Sequence, residues 1–186
     1  MKHLWLVAFV LLPAAAVAQA ELGKTVDDIE LKKLDGTSVK LSDLRGEKGK
    51  FVVVHFWSRK CPTAKEIRLP KEKELAEFIQ KHEDDVVFLP VSSYGKKSES
   101  AKQVAQACED EKLGYSVTFD EDQEIARHFG AHTVSFTAIL DRDGTLVFAG
   151  GLFDKNGEDW ENCAVTALEE LLAGKDVTNK KPRARG

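Results

Sequence analysis

Cys61 stands where a nearly continuous apolar run, Phe51 to Trp57, gives way through Ser58-Arg59-Lys60 to Pro62 and a helix-compatible segment. A run of that kind reads as a strand covered on both faces. The spacing therefore sets one thiol at the handover from a buried strand to a helix N-terminus. Unpaired backbone N–H groups and the positive end of the helix dipole gather there and favour the thiolate over the thiol. Arg59, Lys60 and Lys65 add positive charge nearby. Such a thiolate suits sulfur chemistry, either attack on a disulfide or oxidation by a peroxide. The position that would complete a Cys-x-x-Cys pair holds Ala64, so Cys61 has no local partner to expel a mixed disulfide.

The rest of the composition bounds that chemistry. Met1-Lys2-His3, the apolar run from Leu4 to Val17 and the small residues Ala18-Gln19-Ala20 have the pattern of a cleavable export signal. The expected organisation is thus a signal peptide over 1–20, one domain over 21–174 and a flexible basic tail over 175–186. Location is then periplasmic or otherwise extracytoplasmic, with no stable membrane insertion once the signal is removed. Net charge is −4, from 27 Lys and Arg against 31 Asp and Glu, which argues against a nucleic-acid partner. Three cysteines, Cys61, Cys108 and Cys163, are too few for a disulfide scaffold. Their odd number leaves at least one thiol free or paired outside the chain.

The elements that must position Cys61 read as an alternation of strands and helices. Ile29–Leu31 and Ser38–Leu41 flank Asp35-Gly36 as a hairpin. The spacing of Ile67, Leu75, Phe78 and Ile79 predicts an amphipathic helix from Pro62 to His82, kinked at Pro70, with Glu66 and Glu72 on its solvated face. Val86–Val91 reads as a second buried strand, and Ser98–Leu113 as a helix with Val104, Ala105 and Cys108 on its apolar side. A short strand at Val117–Phe119 and a short helix over Asp120–Phe129 follow. Phe136–Leu140 and Leu146–Ala149 flank Asp141-Arg-Asp-Gly144 as an antiparallel hairpin, and a last helix spans Asp159–Ala173, carrying Cys163 as core packing. The pattern is α/β, in one layered domain.

That order, with Leu22-Gly-Lys-Thr-Val26, Leu34-Asp-Gly36, Leu41-Ser-Asp-Leu44-Arg-Gly46, Val54-His-Phe-Trp57, Cys61-Pro62 and Ile139-Leu-Asp-Arg-Asp-Gly144, resembles the thioredoxin-like superfamily. It is most similar to the exported redoxins, the branch grouped with alkyl-hydroperoxide-reductase/thiol-specific-antioxidant (AhpC/TSA) proteins. The resemblance implies a three-layer α/β/α domain with a central mixed sheet, extended by an N-terminal β-hairpin. It also implies an oxidoreductase or antioxidant activity centred on Cys61. His55 stands where thioredoxins place a buried aspartate that serves the second cysteine, so either a proton-shuttling imidazole or a core histidine is expected there. Ser135 takes the place of the cis-proline opposite the reactive cysteine. Trp57, Pro62, Thr63 and Ser135 are then the substrate-docking positions, and His132 is expected near Ser135.

Two kinds of chemistry follow from the resemblance. Cys61-Pro62-Thr63 and Ser58 are similar to a peroxiredoxin site, in which the Ser58 hydroxyl would bond the peroxide and Cys108 is a possible resolving cysteine. Cys108 reads more readily as a small buried side chain packed beside Val104 and Ala105. A monothiol exchange enzyme needs only Cys61, with an external thiol reductant or a disulfide-bearing protein as partner. A redox-inert module that binds a protein partner is the alternative that Ala64 and Ser135 favour. No cofactor is expected, and no metal site: His128 and His132 are separated by the helix-breaking Gly130.

Overall fold

The computed structural model describes residues 18–60, 65–115 and 117–184. Most of the expected export signal lies outside these residues, as do Cys61, Pro62, Thr63 and Ala64. No helix among the described residues is long and apolar enough to cross a membrane.

The chain opens with the expected hairpin, β1 (Glu30–Lys32) against β2 (Ser38–Lys40), with Leu31 opposite Val39. β3 (Phe51–Trp57) is buried along its whole length, which its unbroken apolar sequence requires. α1 (Lys65–Lys81) leads to β4 (Val86–Ser92), and α2 (Ala101–Glu111) to β5 (Thr118–Phe119). After α3 (Glu124–Phe129) the chain reverses direction through β6 (Phe136–Leu140) and β7 (Leu146–Gly151). The main sheet has the order β5-β4-β3-β6-β7. β3, β4 and β5 are parallel, whereas β6 and β7 are antiparallel to their neighbours. This is the expected thioredoxin-like α/β arrangement with a central mixed sheet.

Alternation along β3 divides the core between the two faces of the sheet. Phe51 and Val53 join Leu75 and Ile79 of α1 and Leu168 of the last helix, while Val52, Val54 and Phe56 join Ile125 and Phe129 of α3. Trp57, at the C-terminal end of β3, packs with Val104, Leu113 and Val117 and against Cys108. Ser100 caps α2 through a capping box with Gln103.

Two expectations are corrected. The segment predicted as the start of the last helix forms a second hairpin, β8 (Phe153–Asn156) against β9 (Asp159–Asn162), and α4 begins only at Cys163 and ends at Leu172. A two-residue loop whose first residue, Gly157, has φ +67° makes the turn. Trp160 meets the Phe153 ring edge-on, and Asn162 caps α4 at Val165. The C-terminal segment, expected as a solvated tail, is laid along the outer edge of β7. Ala149 N donates to Lys180 O and Gly151 N to Pro182 O, Val177 is buried, and Glu170 holds Thr178. Gly150 and Gly151 permit this approach, because a Cβ at either would overlap the backbone of Pro182 or Arg183. The segment covers an edge that would otherwise expose free N–H groups.

Candidate active site

β3 ends with Trp57 and delivers the chain to Ser58, Arg59 and Lys60, immediately before Cys61. Opposite this end lies Ser135, fully buried, with φ +65°. Its N–H donates to Phe56 O at 2.9 Å, and its carbonyl accepts from Leu152 N at 2.7 Å. Left-handed backbone is uncommon for a non-glycine residue, and these two bonds hold Ser135 in it. The Ser135 hydroxyl has no hydrogen-bond partner among the described residues, and neither does Trp57 Nε1. Trp57 and Phe56, with Tyr94, Gln123, His132 and Val134, line a cavity of about 330 Å³. His132 shares this cavity with Val134, the residue before Ser135. Ser58 is fully buried, and its Oγ accepts from Lys60 N at 2.9 Å, tightening the turn that leads to the thiol.

His55, two residues before Trp57, is fully buried with both ring nitrogens engaged. Nδ1 lies 2.9 Å from Thr137 Oγ1, which β3–β6 pairing sets directly opposite. Nε2 lies 2.9 Å from Glu72 Oε1. The second Glu72 oxygen accepts from Arg68 Nη1 at 2.6 Å, and Arg68 Nη2 stands 3.9 Å from Glu111 Oε2 at the end of α2. Arg68 and Glu72 are 0 % and 1 % exposed. Glu72 is therefore not on a solvated helix face. Arg68, Glu72, Leu75 and Ile79 form one buried stripe of α1, spaced by four, three and four residues as a helix requires. Glu66 is exposed, as expected.

The fold, the buried handover strand and the thiol that follows it agree with one sequence family, Redoxin, which matches residues 21–166. The chain belongs to the Redoxin family. Within it, the chain is 22 % identical over 134 residues to sporulation thiol-disulfide oxidoreductase A of Bacillus subtilis, covering 72 % of this chain and 76 % of that one. It is 26 % identical to thiol-disulfide oxidoreductase ResA of Bacillus thuringiensis, covering 68 % of each. Among solved structures it superimposes on the hypothetical protein SMc02350 of Sinorhizobium meliloti 1021 with a TM-score of 0.74, 23 % identity and coverage of 90 % and 93 %.

The other two cysteines of this redoxin sit in unreactive surroundings. Cys108, half-buried on α2, lines an apolar cavity of about 450 Å³ with Leu34, Val39 and Phe88. Burial, with the nearby Glu111 charge adding to it, pushes its pKa up to about 11. Burial also raises Cys163, at the start of α4, to about 11, with Glu161 and Asp154 adding to the effect. Two of the basic side chains that precede Cys61 in the sequence are already engaged. Arg59 Nε is paired with the buried Glu99 at 3.1 Å, and Glu99 is further held by Ser92 Oγ. Lys60 Nζ is bonded to Ser98 O. Among the described residues no cluster of His, Cys, Asp and Glu could hold a metal ion.

His55, Trp57, Ser58 and Ser135, named from the sequence, lie toward one end of the sheet, and sequence reasoning missed Arg68, Glu72, Thr137 and Glu111. An Arg–Glu pair at i, i+4 in the same stripe as Leu75 and Ile79 was the available signal for the first two. Thr137 follows from the β3–β6 register once the hairpin is placed.

Proposed function

We propose that this redoxin is an extracytoplasmic monothiol oxidoreductase that acts on disulfides through Cys61. The observation that carries the reading is the burial of Cys108 and Cys163, which leaves Cys61 as the thiol to act. With pKa values of about 11, Cys108 and Cys163 hold only roughly one part in ten thousand as thiolate at neutral pH. Cys61 follows the end of β3, where Trp57, Ser58 and Ser135 gather above the buried His55. The relatives' names, thiol-disulfide oxidoreductases, support the same chemistry.

In the proposed reaction the Cys61 sulfur attacks one sulfur of a disulfide. A Cys61–substrate S–S bond forms as the substrate S–S bond breaks, and the departing sulfur leaves as thiolate and takes up a proton. A second, external thiol then attacks the mixed disulfide and regenerates Cys61, the step that an adjacent cysteine would perform if position 64 were not Ala. The 330 Å³ cavity beside Trp57 and Val134 would receive the substrate chain. Disulfide chemistry is favoured over peroxide reduction because Cys108, the candidate resolving thiol, is a poor nucleophile at about 11. The export pattern of residues 1–20 supports a location outside the cytoplasm.

The test is glutathione-dependent reduction of a disulfide-bearing model protein by the wild type and by Cys61→Ser, Cys108→Ser and Cys163→Ser. The reading expects activity to vanish in Cys61→Ser alone. Equal activity in Cys61→Ser, or none in the wild type, overturns it.

A further inference from the structure

The outer edge of β7 is covered by segments from opposite ends of the chain, and they pair with it differently. At the start of the strand, Gly23 N donates to Leu146 O at 2.8 Å and Leu146 N donates to Lys24 O at 3.0 Å, so bonds run both ways. Toward its end, Ala149 N donates to Lys180 O at 2.9 Å and Gly151 N to Pro182 O at 3.0 Å. Both of these bonds run one way, outward from β7. The acceptors advance along the chain in the same direction as the donors, so the C-terminal segment runs parallel to β7. In that register the residue that would return a bond to Ala149 O is Pro182, which has no N–H. Among the described residues, no N–H of 180–184 donates to β7.

The edge beneath is shaped for main chain. Gly150 and Gly151 have no positive φ, so their own backbone would accept other residues. A Cβ at Gly150 would stand 2.6 Å from Pro182 Cδ, and one at Gly151 3.0 Å from Ala184 Cα. What the glycine pair provides is close approach of another strand. Upstream, the segment is fixed separately, by the buried Val177 and by the bonds of Thr178 to Glu170. Residues 180–184 can therefore leave the edge without undoing α4.

We propose that the Ala149–Gly151 edge is a strand-acceptor site, that residues 180–184 are its replaceable resident, and that an extended segment of a partner protein takes their place. Such a segment runs parallel to β7, passes its main chain over Gly150 and Gly151, and offers Ala149 O the N–H that Pro182 lacks. In this mode of binding, main-chain hydrogen bonds supply the affinity. The returned bond is the partner's advantage, and the tether that keeps the resident at high effective concentration is the resident's. A resident that made bonds in both directions would close this half of the edge as Gly23 and Lys24 close the other. The site involves no covalent step and stands whether or not the thiol reading does.

The experiment titrates the full, isotope-labelled chain with synthetic peptides spanning residues 175–186. One peptide carries Pro182→Ala, and the other carries N-methylalanine at the same position, which removes only the N–H. Binding is read from the amide resonances of Ala149 and Gly151, with peptide raised into the millimolar range. The Pro182→Ala peptide is expected to bind about two- to tenfold more tightly than the N-methyl one, the worth of one net hydrogen bond. Gly150→Val is expected to abolish binding of both, and if that variant does not fold, the two peptides on the wild type decide the matter. Resonances that move with neither peptide, equal affinities for the two, or binding that persists in folded Gly150→Val overturn the proposal. Dimerisation of the full chain in sedimentation, abolished by Gly150→Val, assigns the edge to a second copy and overturns it as well.

Discussion

Arg68→Met isolates the energetics of the buried Arg68–Glu72 pair. The Arg68 guanidinium is fully buried, 2.6 Å from one Glu72 oxygen, with Glu111 at 3.9 Å on its other side. Methionine fills much of the same volume, so the cavity left is small. What remains is a buried carboxylate without its principal counter-charge, a change that costs about 3–5 kcal/mol. Against a total stability of roughly 5–15 kcal/mol for a domain this is a large fraction. With a urea m-value of about 2 kcal/mol/M, the unfolding midpoint falls by about 1.5–2.5 M. Adding Glu72→Leu removes the stranded charge and returns most of the loss, leaving about 1–3 kcal/mol for the Nε2 partner that His55 no longer has. Urea unfolding of both variants, followed by tryptophan fluorescence and far-UV circular dichroism, gives the comparison. A loss below about 1 kcal/mol in Arg68→Met, or a double variant weaker than the single one, would refute the reasoning, because the pair would then behave as a solvated one.

Two further outcomes follow from the structure. Burial lowers the His128 pKa, with only partial opposition from the Ala18 backbone and from Asp27, so the unfolded chain binds the proton more readily than the folded one. Its contribution to stability is therefore fully present above about pH 6.5 and is lost as pH falls below that value; His128→Leu should flatten the stability profile between pH 7 and pH 5, and an unchanged slope contradicts this. Gly150→Val should expel the C-terminal segment, since even the first side-chain carbon would stand 2.6 Å from Pro182 Cδ; brief trypsin treatment is expected to cut after Lys180 and Arg183 faster than in the wild type, and equal rates would contradict the edge pairing.

Much of the architecture was legible because it rests on local signals. The unbroken apolar run of β3 demanded burial on both faces, and Asp141 to Gly144 fixed the β6–β7 turn, where Asp141 Oδ1 accepts from the N–H groups of Asp143 and Thr145. The β8–β9 hairpin escaped because Asp159–Asn162 joins without a break to a strongly helical stretch, although Asn156-Gly157 carried a turn signal. The C-terminal segment has no apolar pattern of its own. Its position is set by what β7 lacks, the side chains of Gly150 and Gly151. At the site, charge type misled: Glu72 reads as solvated until its phase on α1 is compared with Leu75 and Ile79. The His55–Thr137 contact depends on pairing between residues far apart in sequence, which strand propensity alone does not reveal.

The most direct test of Cys61 as a disulfide-exchanging thiol is a competition. The fully reduced protein is mixed with equimolar glutathione disulfide and hydrogen peroxide, quenched with acid over time, and mapped by mass spectrometry for adducts at each cysteine. The account predicts a glutathione mixed disulfide at Cys61 as the first product, with Cys108 and Cys163 remaining as thiols. A Cys61–Cys108 disulfide appearing before any glutathione adduct, or adducts forming at all three cysteines at similar rates, would contradict it.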